Sequence, residues 1–141
     1  MQGREQIGLV SASSVADYEK NLIKKHEKTL EKKEKDRTML TDIQGANVGP
    51  VFLTYRSQEN TSIQEKIKHL TEVKDPYSVV EQMQDETDVP VSHRLWKVDG
   101  SDNRFFEQEF KKVQSTYVAD GHHRSAAAYN VGKIRKERAL A

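Results

Sequence analysis

The amino-acid sequence predicts an α+β fold, a small mixed sheet with flanking helices, and three observations carry that expectation. Runs with helical apolar periodicity and short β-prone runs follow one another in mixed order, no internal repeat or low-complexity linker divides the chain, and apolar residues are scarce. The chain has 141 residues, 35% of them hydrophobic and 32% charged, and a mean hydropathy of −0.85. A chain of this size buries roughly two thirds of its unfolded surface, so one modest domain over residues 1–141 is expected.

The elements follow in order. Gln6 to Ala12 reads QIGLVSA, a strand-like run reached almost at once. Ser14 with Asp17 three residues on is a helix start, because both groups favour the exposed N–H groups at the positive end of a helix. Val15, Tyr18, Leu22 and Leu30 then recur at helical spacing among lysines and glutamates, which predicts a long charged helical region over residues 14–44. Its stretch from Thr29 to Arg37 carries few apolar residues and is expected to project, offering a surface for a homo-oligomer.

Gly45 to Pro50 is a turn. Val51 to Tyr55 is a continuous β-prone run, the pattern of a strand covered on both faces. Ile63, Ile67 and Leu70 put an apolar stripe on a helix over 62–73, which Lys74-Asp75-Pro76 ends. Tyr77 to Met83 and Val91 to Val98 are strands separated by the acidic turn 84–88, and neither face of the second is cleanly apolar. Ser101 or Asp102 caps a helix whose Phe105, Phe106, Phe110 and Val113 face a core. Thr116 to Ala119 is a strand, and Ser125 to Tyr129 opens the last helix, so residues 115–139 form a strand-turn-helix. The helical pattern runs to Ala141 without a stop signal, and with the early strand this makes a piece of a longer chain the expectation.

Composition narrows the chemistry. Without cysteine there is no disulfide, no thiolate zinc site and no cysteine nucleophile. Lys and Arg number 23 against 22 Asp and Glu, a net charge of +1, so no global field attracts nucleic acid or an anionic membrane. A nucleic-acid partner is further disfavoured because the charge run at 19–37 mixes both signs. No apolar run reaches the roughly 20 residues that span a bilayer, and Met1 to Glu5 lacks the apolar core of a signal peptide. A cytoplasmic protein with no membrane partner is expected.

The strongest chemical signal is TYVADGHHRSAAA, residues 116–128. A strand delivers the chain to Gly121, the glycine permits a sharp turn, and the next helix starts with unpaired N–H groups and its positive dipole end aimed outward. That is an anion site, to which His122, His123 and Arg124 add donors at the same end, the arginine fork matching phosphate oxygens two at a time. The bland alternative is a tight turn with exposed histidines. A transition metal between His122, His123 and Asp120 is disfavoured, since neighbours at a helix start point in different directions. Magnesium arriving with a nucleotide and touching Asp120 suits its oxygen preference better. A triad of Ser125, His123 and Asp120 is too crowded to work. A second cluster holds His26, Glu27, Lys33, Glu34, Asp36 and Arg37. On one continuous helix His26, Lys33 and Arg37 share a face that can meet a phosphate or acidic substrate, whereas the bland reading is a surface helix with ordinary ion pairs. Asn47 and Tyr55 flank the central turn and strand, where they can meet a ligand, although Tyr55 fits a core position equally well.

The DGHHR run at 120–124, with Tyr117-Val118-Ala119 before it, resembles the signature of a bacterial and archaeal domain-of-unknown-function family. Matching stretches in the same order are Gly8-Leu9-Val10 with Ser14 to Tyr18, Ile23 to Glu27 with Lys33 to Arg37, and Ala46 to Tyr55. That family is in turn similar to the ParB/sulfiredoxin-like superfamily, which sets a Gly-x-x-Arg turn against nucleotide phosphates and includes free-serine kinases. The resemblance implies a ParB/sulfiredoxin-like fold and a phosphate-binding turn of Gly121, His122, His123 and Arg124; Ser125 in the same turn, His26 and Arg37 from the charged region and Asn47 beside the central turn are further candidates for phosphate or nucleotide contact. Sulfiredoxin chemistry is excluded, because its cysteine position holds His122 here.

The expected function is therefore nucleotide binding, ATP or ADP with magnesium, followed by phosphoryl transfer to a small serine-like hydroxyl substrate, with Asp120 or Glu27 as catalytic proton acceptor. The alternatives are a ParB-like nucleotide switch and an interaction domain without catalysis.

Overall fold

The computed structural model describes residues 5–56, 61–83 and 90–140. Its elements are α1 (Val15–Glu19), β1 (Ile23–Lys24), α2 (Glu31–Gln44), β2 (Phe52–Thr54), α3 (Ser62–Val73), β3 (Ser78–Met83), β4 (Pro90–Leu95), α4 (Gly100–Phe110), β5 (Thr116–Asp120) and α5 (His122–Leu140). The fold is mixed α+β. Where the sequence reading has one domain, the chain divides into two compact units: Met1–Ser11 with Ser57–Lys112, and Ala12–Arg56 with Val113–Ala141.

The first unit holds α3, α4 and the antiparallel hairpin β3–β4, paired from Ser78 opposite Leu95 to Met83 opposite Pro90. Ile63 and Leu70 on α3 and Phe106 on α4 are buried. The expected apolar stripes are thus the faces that pack. The hairpin is largely exposed, Val79 and Val80 included, consistent with strands that offer no clean apolar face. Polar groups here are paired with one another. Asp102 receives Lys66 at 2.8 Å and Lys74 at 3.0 Å, which hold its carboxyl below the usual aspartate range. Ser62 donates to Glu109 at 2.6 Å, and the Trp96 indole donates to the Lys74 carbonyl at 2.9 Å. Asp102 is therefore an ion-pair hub instead of a cap; α4 begins at Gly100 after Asp99, with no side-chain capping bond. Gln6 to Ala12 form no strand, and Val10 lies 86% exposed. The turn expected at 84–88 lies outside the described residues.

The second unit holds the other elements. Its sheet has the order β1-β5-β2, with β1 parallel and β2 antiparallel to β5. Tyr18, Ile23 and Val118 form the core, with Val51, Leu53 and Tyr129 against them. Ala126, Ala127 and Val131 are the buried stripe of α5, and Gly132 lets it approach α1: a Cβ there would stand 3.2 Å from Val15 Cγ1. The strand at 51–55 is covered on one face only, because Leu53 turns inward while Phe52 is 51% exposed.

The helical region expected over 14–44 is not continuous. It breaks after Glu19, turns at Asn21 in the left-handed conformation (φ 57°), forms β1, and resumes as a helix at Glu31. The reason is tertiary: β1 pairs Ile23 with Thr116 and Lys24 with Tyr117, and burial of Ile23 against Val118 outweighs a charged helix with few apolar contacts of its own. α2 instead lies along α5, where Asn130 donates to Glu34 at 2.7 Å and Arg135 and Arg138 bind Asp42. Gly45 (φ 66°) closes α2 in the left-handed conformation that suits glycine.

Candidate functional site

Sheet topology decides what meets at one end of the second unit. β1 and β5 run parallel, so the segments leaving both, Lys25 to Leu30 and Gly121 onward, emerge at the same edge. β2 runs the other way, with Phe52 opposite Asp120, so the turn entering it brings Gly49 to that edge too. Ligands commonly bind beyond the carboxyl ends of parallel strands, because helix N-termini and loops converge there.

The DGHHR turn lies at this edge, and its helix begins earlier than expected, at His122. Gly121 has φ 94° and Gly49 φ 80°, conformations that disfavour side chains. Both glycines face Arg124. A Cβ at Gly121 would stand 3.1 Å from its Nε, and one at Gly49 would stand 3.0 Å from a terminal guanidinium nitrogen. Arg124 also donates to Asp120 Oδ2, and its side chain remains 34% exposed. The guanidinium thus lies against two bare glycine backbones and remains partly exposed to solvent. The first turn of α5 has no acidic residue, and Asp120 just before it is the anion that offsets the Arg124 charge at the positive end of the helix.

The other motif residues have more defined tasks. Ser125 donates its hydroxyl to the Gly121 carbonyl at 3.1 Å, which tightens the turn. His123 Nε2 accepts the Leu30 N–H at 3.2 Å, just before α2 begins. His122 points inward. Its side chain is 4% exposed, and its Nδ1 lies 3.5 Å from Glu27 Oε2. Its ring meets that of His26 edge-on, with centroids 4.4 Å apart. His122 Nε2 is buried and has no hydrogen-bond partner among the described residues. His26 Nε2 in turn lies 3.8 Å from Glu27 Oε1.

Among the expected site residues, the structure brings together Asp120, Gly121, Arg124 and Ser125 in the turn, and His26, Glu27 and His122 beside them. Arg37 lies exposed on α2, and His26 precedes that helix, so the common helical face with Lys33 and Arg37 does not exist. Asn47 is exposed in the turn before β2.

Sequence reasoning passed over Glu34 as a positioning group. It accepts from Thr29 and Asn130, and these bonds hold its carboxyl below the usual glutamate range. Nothing in sequence spacing signals the Asn130 contact, whereas Gly49 is announced by its place beside Pro50.

Among the described residues no helix is long and apolar enough to cross a membrane. No curated protein and no solved structure matches the chain. The model of the family described as "Protein of unknown function (DUF1015)" matches residues 1–141, so the chain belongs to that family.

Proposed function

We propose that the protein binds a nucleotide through its phosphates at the DGHHR turn and transfers a phosphoryl group to a small hydroxyl compound. The observation that carries this reading is the Arg124 guanidinium, anchored by Asp120 against Gly49 and Gly121 and partly exposed at the start of α5. Phosphoryl transfer asks chiefly for positioning and charge neutralisation, which the helix N-terminus and an arginine fork supply. The resemblance of the turn to the phosphate-binding turn of the ParB/sulfiredoxin-like superfamily, with its free-serine kinases, supports the same chemistry and a serine-like acceptor.

Roles follow from the surroundings. Asp120 orients Arg124 through one oxygen, and magnesium accompanying ATP or ADP would meet the other, since the side chain is 72% exposed. Glu27, 61% exposed and without a lysine or arginine partner among the described ion pairs, is the better proton acceptor. The bond from phosphorus to the nucleotide's bridging oxygen breaks with its electron pair leaving on the nucleotide. A new bond forms from the acceptor's hydroxyl oxygen to phosphorus, and the hydroxyl proton passes to Glu27.

Calorimetry with ATP and ADP in the presence of magnesium tests this reading. Binding is expected for one of the two, weakened about tenfold by Arg124→Ala, as loss of a charge-assisted hydrogen bond implies. Equal binding by that variant removes the turn from the function.

A further inference from the structure

We infer that His26, Glu27 and His122 form a site for a divalent transition-metal ion of the zinc class. One ligand atom from each of these residues lies within 4.8 Å of the others. A tetrahedral ion with bonds of about 2.0–2.2 Å sets its donors about 3.4 Å apart. His26 and Glu27 are 60% and 61% exposed, which leaves their side chains room to close that gap.

The second observation is His122. Its side chain is only 4% exposed. Yet Nε2 has no partner among the described residues, and Nδ1 meets Glu27 only at 3.5 Å. A buried imidazole with no firm hydrogen bond on either nitrogen is costly in a native fold. A metal bond removes that cost at the one nitrogen that takes the ion, and the other then carries the ring proton. The backbone also fixes His122 at the first residue of α5 and His26 two residues beyond β1, so the parallel pairing of β1 and β5 sets the spacing.

The donor set selects the ion. Two imidazole nitrogens and one carboxylate oxygen suit zinc, cobalt, nickel or manganese, whereas magnesium prefers oxygen and water alone. Three protein ligands leave at least one position open, as in catalytic sites. A link between this ion and phosphoryl transfer rests on the proposed function; the metal site itself does not.

The test uses the untagged chain, stripped with a chelator and titrated with zinc by calorimetry and with cobalt by visible absorption, without nucleotide. One ion per chain is expected, with a dissociation constant on the order of micromolar or tighter. Cobalt bands of a four- or five-coordinate nitrogen-oxygen site are expected too. His26→Ala and Glu27→Gln, both at exposed positions, should each weaken zinc binding about tenfold or more. His122→Ala should abolish it; because that side chain is buried, circular dichroism checks its fold, and the two exposed variants decide the matter if it does not fold. Arg124→Ala should keep its metal affinity while losing nucleotide, which separates the two readings. Absence of one-to-one binding, or undiminished binding by both exposed variants, overturns the site. Displacement of zinc by roughly millimolar magnesium overturns the choice of ion.

Discussion

The two units treat their polar groups in opposite ways. In the unit of α3, α4 and the hairpin, ionisable groups that leave the solvent find each other: Asp102 takes two lysines, Glu109 takes Ser62 and Lys112, and the Trp96 indole finds the Lys74 carbonyl. In the unit of the three-stranded sheet, one edge gathers groups whose needs the protein leaves partly unmet. His122 Nε2 lacks a partner there among the described residues, and two glycines keep side chains away from Arg124, which pairs only with Asp120 among the described ion pairs. Paired charges such as Asp102 fix a structure. An incompletely satisfied cluster at strand ends has the mark of a binding site, because native interiors rarely leave such groups without a ligand.

Substitutions can break or sharpen this contrast. The largest effect is expected from Ile63→Ala, which empties a site that is 1% exposed and should cost about 2–5 kcal/mol in urea denaturation. Nucleotide and metal binding by the folded fraction should be unchanged; a lost site would show that the first unit is more than scaffold. Next comes Arg124→Ala, which should cost nucleotide binding about 1.5–3 kcal/mol with little change in melting temperature. A large drop in melting temperature would recast Arg124 as a structural pair of Asp120.

Gly121→Ala should follow. A side chain in a left-handed conformation costs about 1 kcal/mol or more, and its Cβ would push Arg124 aside. Weaker nucleotide binding is therefore expected alongside lower stability, and wild-type binding would dismiss the glycine cradle.

The smallest effect concerns pH. Hydrogen bonds from Thr29 and Asn130 lower the Glu34 pKa in the folded state, so this group stabilises the protein above the ordinary glutamate range. That stabilisation is lost as pH falls through the depressed value. Glu34→Gln should flatten the acid side of a stability profile measured by thermal melts, and an unchanged profile would show the bonds to be of no consequence.

Local patterns were legible wherever neighbours in the chain are neighbours in space. The α3 stripe of Ile63 and Leu70, the two hairpin strands, the glycine turn before β2 and the strand-turn-helix of β5 and α5 all follow from short-range spacing. So does the placement of Arg124 and Ser125 in a turn at the start of a helix, since a strand, a glycine and a run of small residues suffice to build it.

Long-range pairing was not legible. β1 spans only Ile23 and Lys24 inside a run of charges that reads as helix, and its partner β5 lies far along the chain. Helix propensity is a weak preference that burial overrides, and here Ile23 gains more from Val118 than from another turn of exposed helix. The same pairing turned His122 inward, where a sequence reading has it facing a phosphate, and set it beside His26 and Glu27. Sequence alone thus determined that a glycine turn at the end of a strand starts the last helix and which residues form it. Only the tertiary structure decided that a second cluster of nitrogen and oxygen donors stands beside it, because a parallel strand pair aligns two loop exits that no local spacing connects.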